Sequence, residues 1–326
     1  MIDSDKSGGY FMKHNIYVGT YSSNIFYGKF DSISGDLTIT GESPQIENPS
    51  YLCLSKNILY AVSEIENGIV VSIDLRENKI TSEQATNGAH PCHLSVCGNI
   101  LAIANYSSGS LPIFDLEADG RICPSITSIT HHGKSITDRQ KSPHAHYVDY
   151  IDLYGGALAV CDLGIDKVIV YNGIIEKIEL DCPAGSGPRH FAINRDCLYV
   201  NAELSNKVLV YKNRELIQEI STLPRDFTGN STTAAIKISK DLLGVSNRGH
   251  DSVAYYKIAN NGTLTLLDFI KSGNTPRDFA FSPDGNWLLC AGQTDNSVKI
   301  CKVEGDIITD TGKCVSVPSP VCVLFD

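Results

Sequence analysis

The stretch Ala184-Gly-Ser-Gly-Pro-Arg-His-Phe-Ala-Ile-Asn194, followed closely by Leu198-Tyr-Val-Asn-Ala-Glu203, shows the pattern that this chain repeats. It begins with a proline-centred turn that carries Arg189 and His190 and leads into a short apolar run. The turn Arg195-Asp196 then precedes a second apolar run, which ends on the carboxylate Glu203. Turn residues between short β-prone runs are typical of antiparallel strands joined in a meander.

Similar turns recur along the whole chain and indicate an internal repeat. They are Asn48-Pro49-Ser50, His90-Pro91-Cys92-His93, Ser142-Pro143-His144-Ala145-His146, Gly187-Pro188-Arg189-His190, Thr275-Pro276-Arg277-Asp278, Ser319-Pro320-Val321 and, without proline, Ser231-Thr-Thr-Ala-Ala235. A second recurring position ends the second strand of each unit, at Thr20, Glu64, Asn105, Asp162, Glu203, Asn247 and Gln293. Seven such units without helical periodicity predict an all-β fold, a seven-bladed β-propeller with four antiparallel strands per blade.

The two ends of the chain complement each other. The N-terminal part opens with a second-strand pattern, Ile16-Tyr-Val-Gly-Thr20, whereas the C-terminus supplies only a first strand, Pro320-Val-Cys-Val-Leu-Phe325. Pairing these strands in one blade would close the ring and leave no strand edge unpaired. We therefore expect a single propeller domain from 12 to 326, preceded by a disordered extension at 1–11.

Composition restricts the class of partner and the compartment. The chain of 326 residues carries a net charge of −10, which argues against nucleic acid or an anionic membrane as the main partner. It has no signal-peptide pattern and no apolar run long enough to span a membrane. The eleven cysteines are scattered without Cys-x-x-Cys pairs. Reduced, mostly buried thiols in a cytoplasmic protein are the expectation, and the sequence leaves the oligomeric state open.

Strand alternation predicts where the chemistry lies. In a meander, the start of the first strand and the end of the second strand share one face, beside the central channel. Both recurring positions therefore converge on one rim of the propeller. Two long connections between blades, about 129–142 and 221–233, are expected to overhang this rim.

Histidine and arginine concentrate at that rim. Six of the nine histidines and three of the nine arginines fall in the recurring turns or in Asn247-Arg-Gly-His-Asp251. Guanidinium groups bind carboxylate or phosphate with two parallel hydrogen bonds, and imidazole titrates near neutral pH. The rim therefore suits a small anionic ligand. The candidate ligand-binding residues are His93, His144, His190, Asn247, Arg277 and Asp162.

Each candidate also has a purely structural interpretation. His144 and His146 alternate along a strand, so one faces the channel and the other is expected to bond a backbone carbonyl. Arg189 can pair with Glu203 as a structural bridge, and Arg277 can pair with its neighbour Asp278. Asp162 and Asn247 can cap turns, as short polar side chains often do.

Several other classes of site lack their sequence signals. His90-Pro-Cys-His93 has metal-binding residue types but no second cluster at zinc spacing, so no metal site is predicted. The chain has no Gly-x-Ser-x-Gly elbow, no P-loop and no Rossmann glycine pattern, and no cofactor is expected.

Several motifs together resemble those of the seven-bladed propeller lactonases. They are Ser142-Pro-His-Ala-His146, Val160-Cys-Asp-Leu-Gly-Ile-Asp-Lys-Val168, Gly187-Pro-Arg-His190, Ser246-Asn-Arg-Gly-His-Asp-Ser252 and Pro276-Arg-Asp-Phe279. That family includes bacterial propeller-type 6-phosphogluconolactonases and is similar to fungal carboxy-muconate cyclases. The resemblance extends from about His14 to Asp326. It implies an active site on the rim formed by His146, Arg189, Glu203 and Arg248.

The resemblance implies lactone hydrolysis, with 6-phosphogluconolactone or a similar small anionic sugar lactone as substrate. In that reaction His146 is expected to act as general base, with Glu203 orienting it or shuttling a proton. Arg189 and Arg248 would stabilise the carbonyl oxyanion or bind the remote anion. Two alternatives remain open at this stage: a cycloisomerase acting on an unsaturated dicarboxylate, and a non-catalytic ligand-binding propeller.

Overall fold

The protein folds as a ring of seven four-stranded antiparallel sheets, as the repeats predict. The computed structural model describes residues 13–155, 158–173 and 176–326. The predicted extension at 1–11 lies outside the described residues. Contacts between first strands run from blade to blade around the ring and return to the starting blade, so the ring is closed.

The strands follow the sequence in every blade except the one that joins the two ends of the chain. Blade 1 contains β1 Lys13–Thr20, β2 Phe26–Asp31, β3 Asp36–Glu42 and the C-terminal β28 Pro320–Phe325. Blade 2 contains β4 Tyr51–Ser55, β5 Ile58–Ser63, β6 Ile69–Asp74 and β7 Lys79–Ala85. Blade 3 contains β8 Pro91–Cys97, β9 Ile100–Asn105, β10 Ser110–Leu116 and β11 Ile122–Thr130. Blade 4 contains β12 Ala145–Tyr150, β13 Leu158–Asp162, β14 Lys167–Asn172 and β15 Glu176–Asp181.

The remaining three blades have the same order from the channel outward. Blade 5 contains β16 Pro188–Asn194, β17 Cys197–Ala202, β18 Lys207–Lys212 and β19 Glu215–Ser221. Blade 6 contains β20 Thr232–Ser239, β21 Leu242–Arg248, β22 Ser252–Ile258 and β23 Leu264–Lys271. Blade 7 contains β24 Pro276–Phe281, β25 Trp287–Gly292, β26 Ser297–Glu304 and β27 Ile307–Ser316. The 3-10 helix Asp138–Gln140 interrupts the connection between blades 3 and 4.

Ring closure is made by the strand pairing that the chain ends predict. β28 pairs antiparallel with β1, with Val18 opposite Val323 and Tyr17 opposite Leu324. The side chain of Asn15 also donates a hydrogen bond of 2.7 Å to the carboxylate of Asp326. The last residues of the chain therefore complete the first blade.

The core lies between the blades. Each hydrophobic cluster formed by the described residues spans two neighbouring sheets, as where Val18 and Phe30 of blade 1 pack against Trp287 of blade 7. The middle strands are covered on both faces and read as continuous apolar runs, as in β5, where every residue is buried. Outer strands such as β11 instead alternate between partly buried and exposed residues. This packing fixes the inner ends of the strands around the channel.

Both long connections lie between blades, where the sequence predicts them. They join β11 to β12 across 131–144 and β19 to β20 across 222–231. Among the described residues, no helix has the length and apolar character needed to cross a membrane.

Candidate active site

In five blades, a β-bulge at the start of the first strand directs one side chain toward the rim. In blade 5, Pro188 pairs with Ala202 and His190 with Asn201, so Arg189 is the extra residue between them. Bulges re-aim side chains and are frequent beside active sites. Within the described residues, the same irregularity in blades 1, 3, 4 and 7 gives, in that order, Val321, Cys92, His146 and Arg277.

These five bulge residues all line one recess at the mouth of the channel. The recess has an empty volume of about 280 Å³ and is open to solvent. Its other walls are Tyr21, Ser50, Tyr51, Glu64 and His190. The recurring turns of six blades therefore build one site, because Ser50 belongs to the turn of blade 2.

Beside the recess, three arginines converge on one buried carboxylate, that of Glu203. The Nε of Arg189 and an Nη of Arg248 each lie 2.9 Å from Glu203 Oε2. Arg139, from the 3-10 helix, lies 3.3 Å from Oε1 and donates a hydrogen bond of 2.7 Å to the hydroxyl of Tyr106. Arg189 belongs both to this cluster and to the recess, so the two are continuous.

The electrostatics of the cluster keep Glu203 ionised. Burial alone would raise the pKa of its carboxyl, but the guanidiniums of Arg248, Arg189 and Arg139 outweigh this effect and lower the pKa. With Arg277 and Glu64, the recess and cluster together hold four guanidiniums and two carboxylates, a net charge of +2 on a protein whose total is −10. The site is therefore cationic in an acidic protein.

His146 is held neutral at the recess wall. Burial lowers the pKa of its imidazole well below the ordinary value, and the positive charge of Arg189 lowers it further. Its Nδ1 lies 3.7 Å from Cys92 Sγ, and burial raises the pKa of that thiol well above its usual range. A neutral imidazole can accept a proton, whereas a protonated buried thiol is a poor nucleophile.

The opposite wall of the recess places one more cation near a carboxylate. The guanidinium of Arg277 lies over the ring of Tyr21, with 5.0 Å between its Cζ and the ring centroid. The Tyr21 hydroxyl donates a hydrogen bond of 2.9 Å to Glu64. The suggested pairing of Arg277 with Asp278 does not form, because Asp278 accepts a hydrogen bond from the Val323 amide instead.

A cluster of tilted aromatic rings packs beside the recess. His93 lies between Tyr51 and Tyr147, with centroid distances of 4.0 and 3.9 Å, and Tyr147 lies 4.7 Å from His190. Burial lowers the pKa of both histidines well below the ordinary value, so both are neutral. His190 Nε2 can then accept a hydrogen bond from Arg189, at 3.2 Å. His190 thus lines the recess, whereas His93, predicted as a ligand-binding residue, packs behind Tyr51 and does not line it.

Comparison with known proteins shows which family the chain belongs to. Residues 15–325 match the family model described as lactonase, 7-bladed beta-propeller. The chain belongs to this lactonase family. It is 32% identical over 340 residues to the 6-phosphogluconolactonase of Bacillus subtilis (strain 168). The alignment covers 95% of this chain and 97% of that protein.

Solved structures of related proteins have the same fold. A periplasmic gluconolactonase of Pseudomonas aeruginosa superimposes with a TM-score of 0.87 at 28% identity, covering 96% of this chain and 99% of that one. A protein from Lactobacillus plantarum superimposes with a TM-score of 0.90, also at 28% identity, covering 97% and 100%. The lactonase fold is therefore shared along nearly the whole chain.

The structure brings together the four residues that the lactonase resemblance assigns to catalysis. His146 and Arg189 line the recess, and Glu203 and Arg248 extend it. Glu203 is directed at the arginines, and no hydrogen bond joins it to His146 in the described part of the chain. The geometry therefore supports a role for Glu203 in holding the guanidiniums rather than in orienting the imidazole.

Three other predicted ligand-binding residues support the site from outside the recess. His144 stacks on Tyr106 and its Nδ1 lies 3.0 Å from a backbone carbonyl, the alternative that strand alternation predicts. Asp162 accepts a hydrogen bond of 2.7 Å from the backbone amide of His144, and its other carboxylate oxygen lies 2.6 Å from His131 Nδ1. Asn247 donates a hydrogen bond of 2.7 Å to the backbone carbonyl of Thr222.

Sequence reasoning missed several residues of the recess. Cys92 and Ser50 directly follow the proline of a recurring turn, as Arg189 does, so position in the repeat was a signal for both. Tyr21 directly follows Thr20, one of the recurring positions at which second strands end. Glu64 is another of these positions. For Arg139, the sequence predicted only that the connection containing it overhangs the rim. Its partner Glu203 is 64 residues away in sequence, so their contact could not be predicted.

Proposed function

We propose that this protein hydrolyses a small anionic sugar lactone, 6-phosphogluconolactone or a close relative, to the corresponding acid. The observation that carries the proposal is the convergence of Arg139, Arg189 and Arg248 on Glu203, beside the neutral imidazole of His146. The named function of the Bacillus subtilis relative supports the same substrate class.

The first step uses His146 as general base. A water molecule attacks the lactone carbonyl carbon while the imidazole accepts its proton, and the carbonyl oxygen becomes an oxyanion. Guanidinium groups fixed beside this oxygen stabilise the developing negative charge, because they are already oriented and need not reorganise during the reaction. Arg189, which lines the recess, is the candidate for this role, and Arg248 is the candidate for binding the remote anion; both are held by Glu203 before substrate arrives.

The second step opens the ring. The tetrahedral intermediate collapses, the bond between the carbonyl carbon and the ring oxygen breaks, and protonated His146 returns its proton to that oxygen. The products are a hydroxyl and a carboxylic acid, which ionises in water. Every bond and proton is accounted for by water and one imidazole, so the reaction requires no organic cofactor.

The charge of the substrate complements the low pKa of His146. In the empty site, burial and the nearby arginines oppose protonation of the imidazole. A bound phosphate or carboxylate offsets the positive charge, so it raises the proton affinity of His146 when the base is needed. The net charge of +2 at the site also explains how an acidic protein attracts an anion locally.

The substrate class can be tested with Arg248→Lys, which keeps the charge but loses the two-pronged hydrogen bonding of arginine. We expect kcat/KM to fall for phosphorylated gluconolactone by roughly tenfold, on the scale of one charge-assisted hydrogen bond, and hardly at all for the unphosphorylated lactone. Equal losses on both substrates would assign Arg248 to the oxyanion or to the scaffold and refute its role as the anion clamp.

The compartment also remains a prediction. All eleven cysteines are free thiols, and most are buried, as expected in a reducing cytoplasm. We keep the cytoplasm as the proposed location, although the Pseudomonas aeruginosa relative is named as periplasmic.

A further inference from the structure

The turn between β13 and β14 contains a buried carboxylate that the proposed reaction does not use. Asp166 is 5% exposed and has a φ of 53°, a left-handed conformation that aspartate tolerates. Its two oxygens accept five hydrogen bonds from two separate segments of the chain. A carboxylate offers about four lone-pair positions, so this one is saturated.

One segment is the connection that carries Arg139. Ser135 Oγ donates to Asp166 at 2.5 Å, and Gln140 Nε2 donates at 2.8 Å. Gln140 is fully buried and also donates to the carbonyl of Leu163, in the same β13–β14 turn. The residue before it is Arg139, whose guanidinium reaches Glu203. The position of this short segment therefore depends on the turn that contains Asp166.

The other segment is the turn that precedes Arg189. The amides of Gly185 and Gly187 each donate to Asp166 at 2.7 Å, and Ser186 Oγ donates at 3.2 Å. Arg189 follows Gly187 by two residues and lies at the bulge of β16. One carboxylate thus fixes the backbone beside two of the three arginines that meet at Glu203.

We propose that Asp166 is a positioning residue for the anion site: it holds Arg139 and Arg189 at the separation at which both guanidiniums contact Glu203. The identity of the anion rests on the proposed function, whereas the bracing of the two segments does not. An amide in place of this carboxylate would present a donor to groups that are themselves donors. Loss of the hydrogen bonds to Asp166 would therefore displace both arginines.

The first test replaces Asp166 by Asn, which suits the left-handed backbone but cannot accept all five hydrogen bonds. The matched control is Asp284→Asn, because Asp284 also holds a turn, with bonds from Ser282 and Asn286, between β24 and β25. Both variants should lose some thermal stability. Only Asp166→Asn should weaken binding of 6-phosphogluconate measured by calorimetry, by roughly tenfold or more. Equal weakening by both variants, or by neither, would overturn the proposal.

A double-mutant cycle separates positioning from general loss of stability. Gln140→Leu cuts one link between Asp166 and the Arg139 segment, and Arg139→Gln removes the guanidinium itself. If Gln140 acts through Arg139, Gln140→Leu should weaken 6-phosphogluconate binding in the parent protein but add almost nothing when Arg139 is already replaced. Additive effects would show that Gln140 does not act through Arg139 and would contradict the proposal.

Hydrogen exchange tests whether the hydrogen bonds to Asp166 hold the two segments in place, independently of function. Asp166→Asn should speed amide exchange at both 131–141 and 183–187 and leave 222–231, the other long connection, unchanged. If the parent protein fails to bind 6-phosphogluconate, the proposed substrate class fails while this measurement still decides the brace. Unchanged exchange in either braced segment would overturn it.

Discussion

At the scale of single residues, the site depends on one neutral imidazole kept among guanidiniums. Burial and the charge of Arg189 lower the pKa of His146, and Glu203 offsets part of the positive charge nearby. The bulge of β12 places His146 on the recess wall, while His144, two residues earlier, bonds a backbone carbonyl. The two histidines therefore have different positions and contacts despite their shared motif.

Replacing His146 by Ala should abolish most hydrolysis without unfolding the protein. Loss of a general base typically costs roughly 10²–10⁴-fold in rate. The measurement is kcat on 6-phosphogluconolactone, with thermal melting as the check on the fold. His144→Ala is the matched control and should reduce kcat less. A larger loss for His144→Ala would mean that the roles of the two histidines are reversed.

We expect the low pKa of His146 to set the acid limit of the proposed activity. A base must be deprotonated to work, so kcat/KM should stay level as pH falls to the ordinary histidine pKa of about 6.5 and decline only below it. Arg277 adds to the lowering of this pKa, so Arg277→Gln should move the acid limb to higher pH. Initial rates across the acid range test this. An acid limb near 6.5 in the parent that does not move in the variant would exclude His146 as the titrating base.

At the scale of elements, bulges and tight turns convert a repeated strand pattern into a site. Gly187, before the bulge of β16, has a φ of 63°, and an added Cβ would lie 2.6 Å from Leu204 Cγ. Gly164 similarly allows the backbone at Ser142 to approach, where a Cβ would lie 1.9 Å from its carbonyl oxygen. These glycines set how closely the turns at the rim end of a blade pack against each other.

Gly187→Ala should therefore affect stability and binding together. The left-handed conformation costs a non-glycine residue about 1–2 kcal/mol, and the contact with Leu204 adds to this cost. We expect a lower midpoint in urea unfolding and a higher KM, because the turn leads directly into Arg189. Gly155→Ala is a matched control, since Gly155 also has positive φ but no atom of the described residues lies within 4 Å of its added Cβ. Equal KM values in the two variants would show that the turn does not position Arg189.

The sequence predicts some residues of the site and not others, and the difference has physical reasons. The recurring turns identify Arg189, Arg277 and His146, because histidine and arginine stand out in an apolar repeat. Asp162 and Asn247 occupy the same recurring position as Glu203, yet they bond backbone and neighbouring side chains instead. Short polar residues at a strand end serve turns and ligands alike, and only the packing of adjacent blades decides between them. The contact of Arg139 with Glu203 joins two blades and has no local signal.

At the scale of the whole molecule, the ring and the site depend on each other. Recess residues come from the first strands of six blades, and one of these strands is the closing strand β28, which contributes Val321. Opening the ring would therefore disrupt the site as well as the interface between blades 1 and 7. The complementary half-blades at the chain ends made this closure predictable, because an unpaired inner strand would leave backbone hydrogen-bonding groups exposed.

Deleting residues 320–326 should greatly destabilise the protein. The truncation removes β28, exposes the edge of β1 and uncovers apolar side chains at the blade 1–7 interface. We expect a much lower melting temperature, followed by circular dichroism, and aggregation at protein concentrations that the intact chain tolerates. A truncated chain that melts like the intact one would contradict closure by the C-terminal strand.

The activity proposed for this ring is hydrolysis of a phosphorylated lactone by solvent water. The most direct measurement incubates the protein with freshly formed 6-phosphogluconolactone in water enriched in oxygen-18, and follows acid release against the spontaneous rate. We predict release well above that rate, with one solvent oxygen in the product carboxylate, and release by His146→Ala close to the spontaneous rate. Parent release no faster than the spontaneous reaction would contradict the claim, and turnover of an unsaturated dicarboxylate without solvent oxygen would favour the cycloisomerase instead.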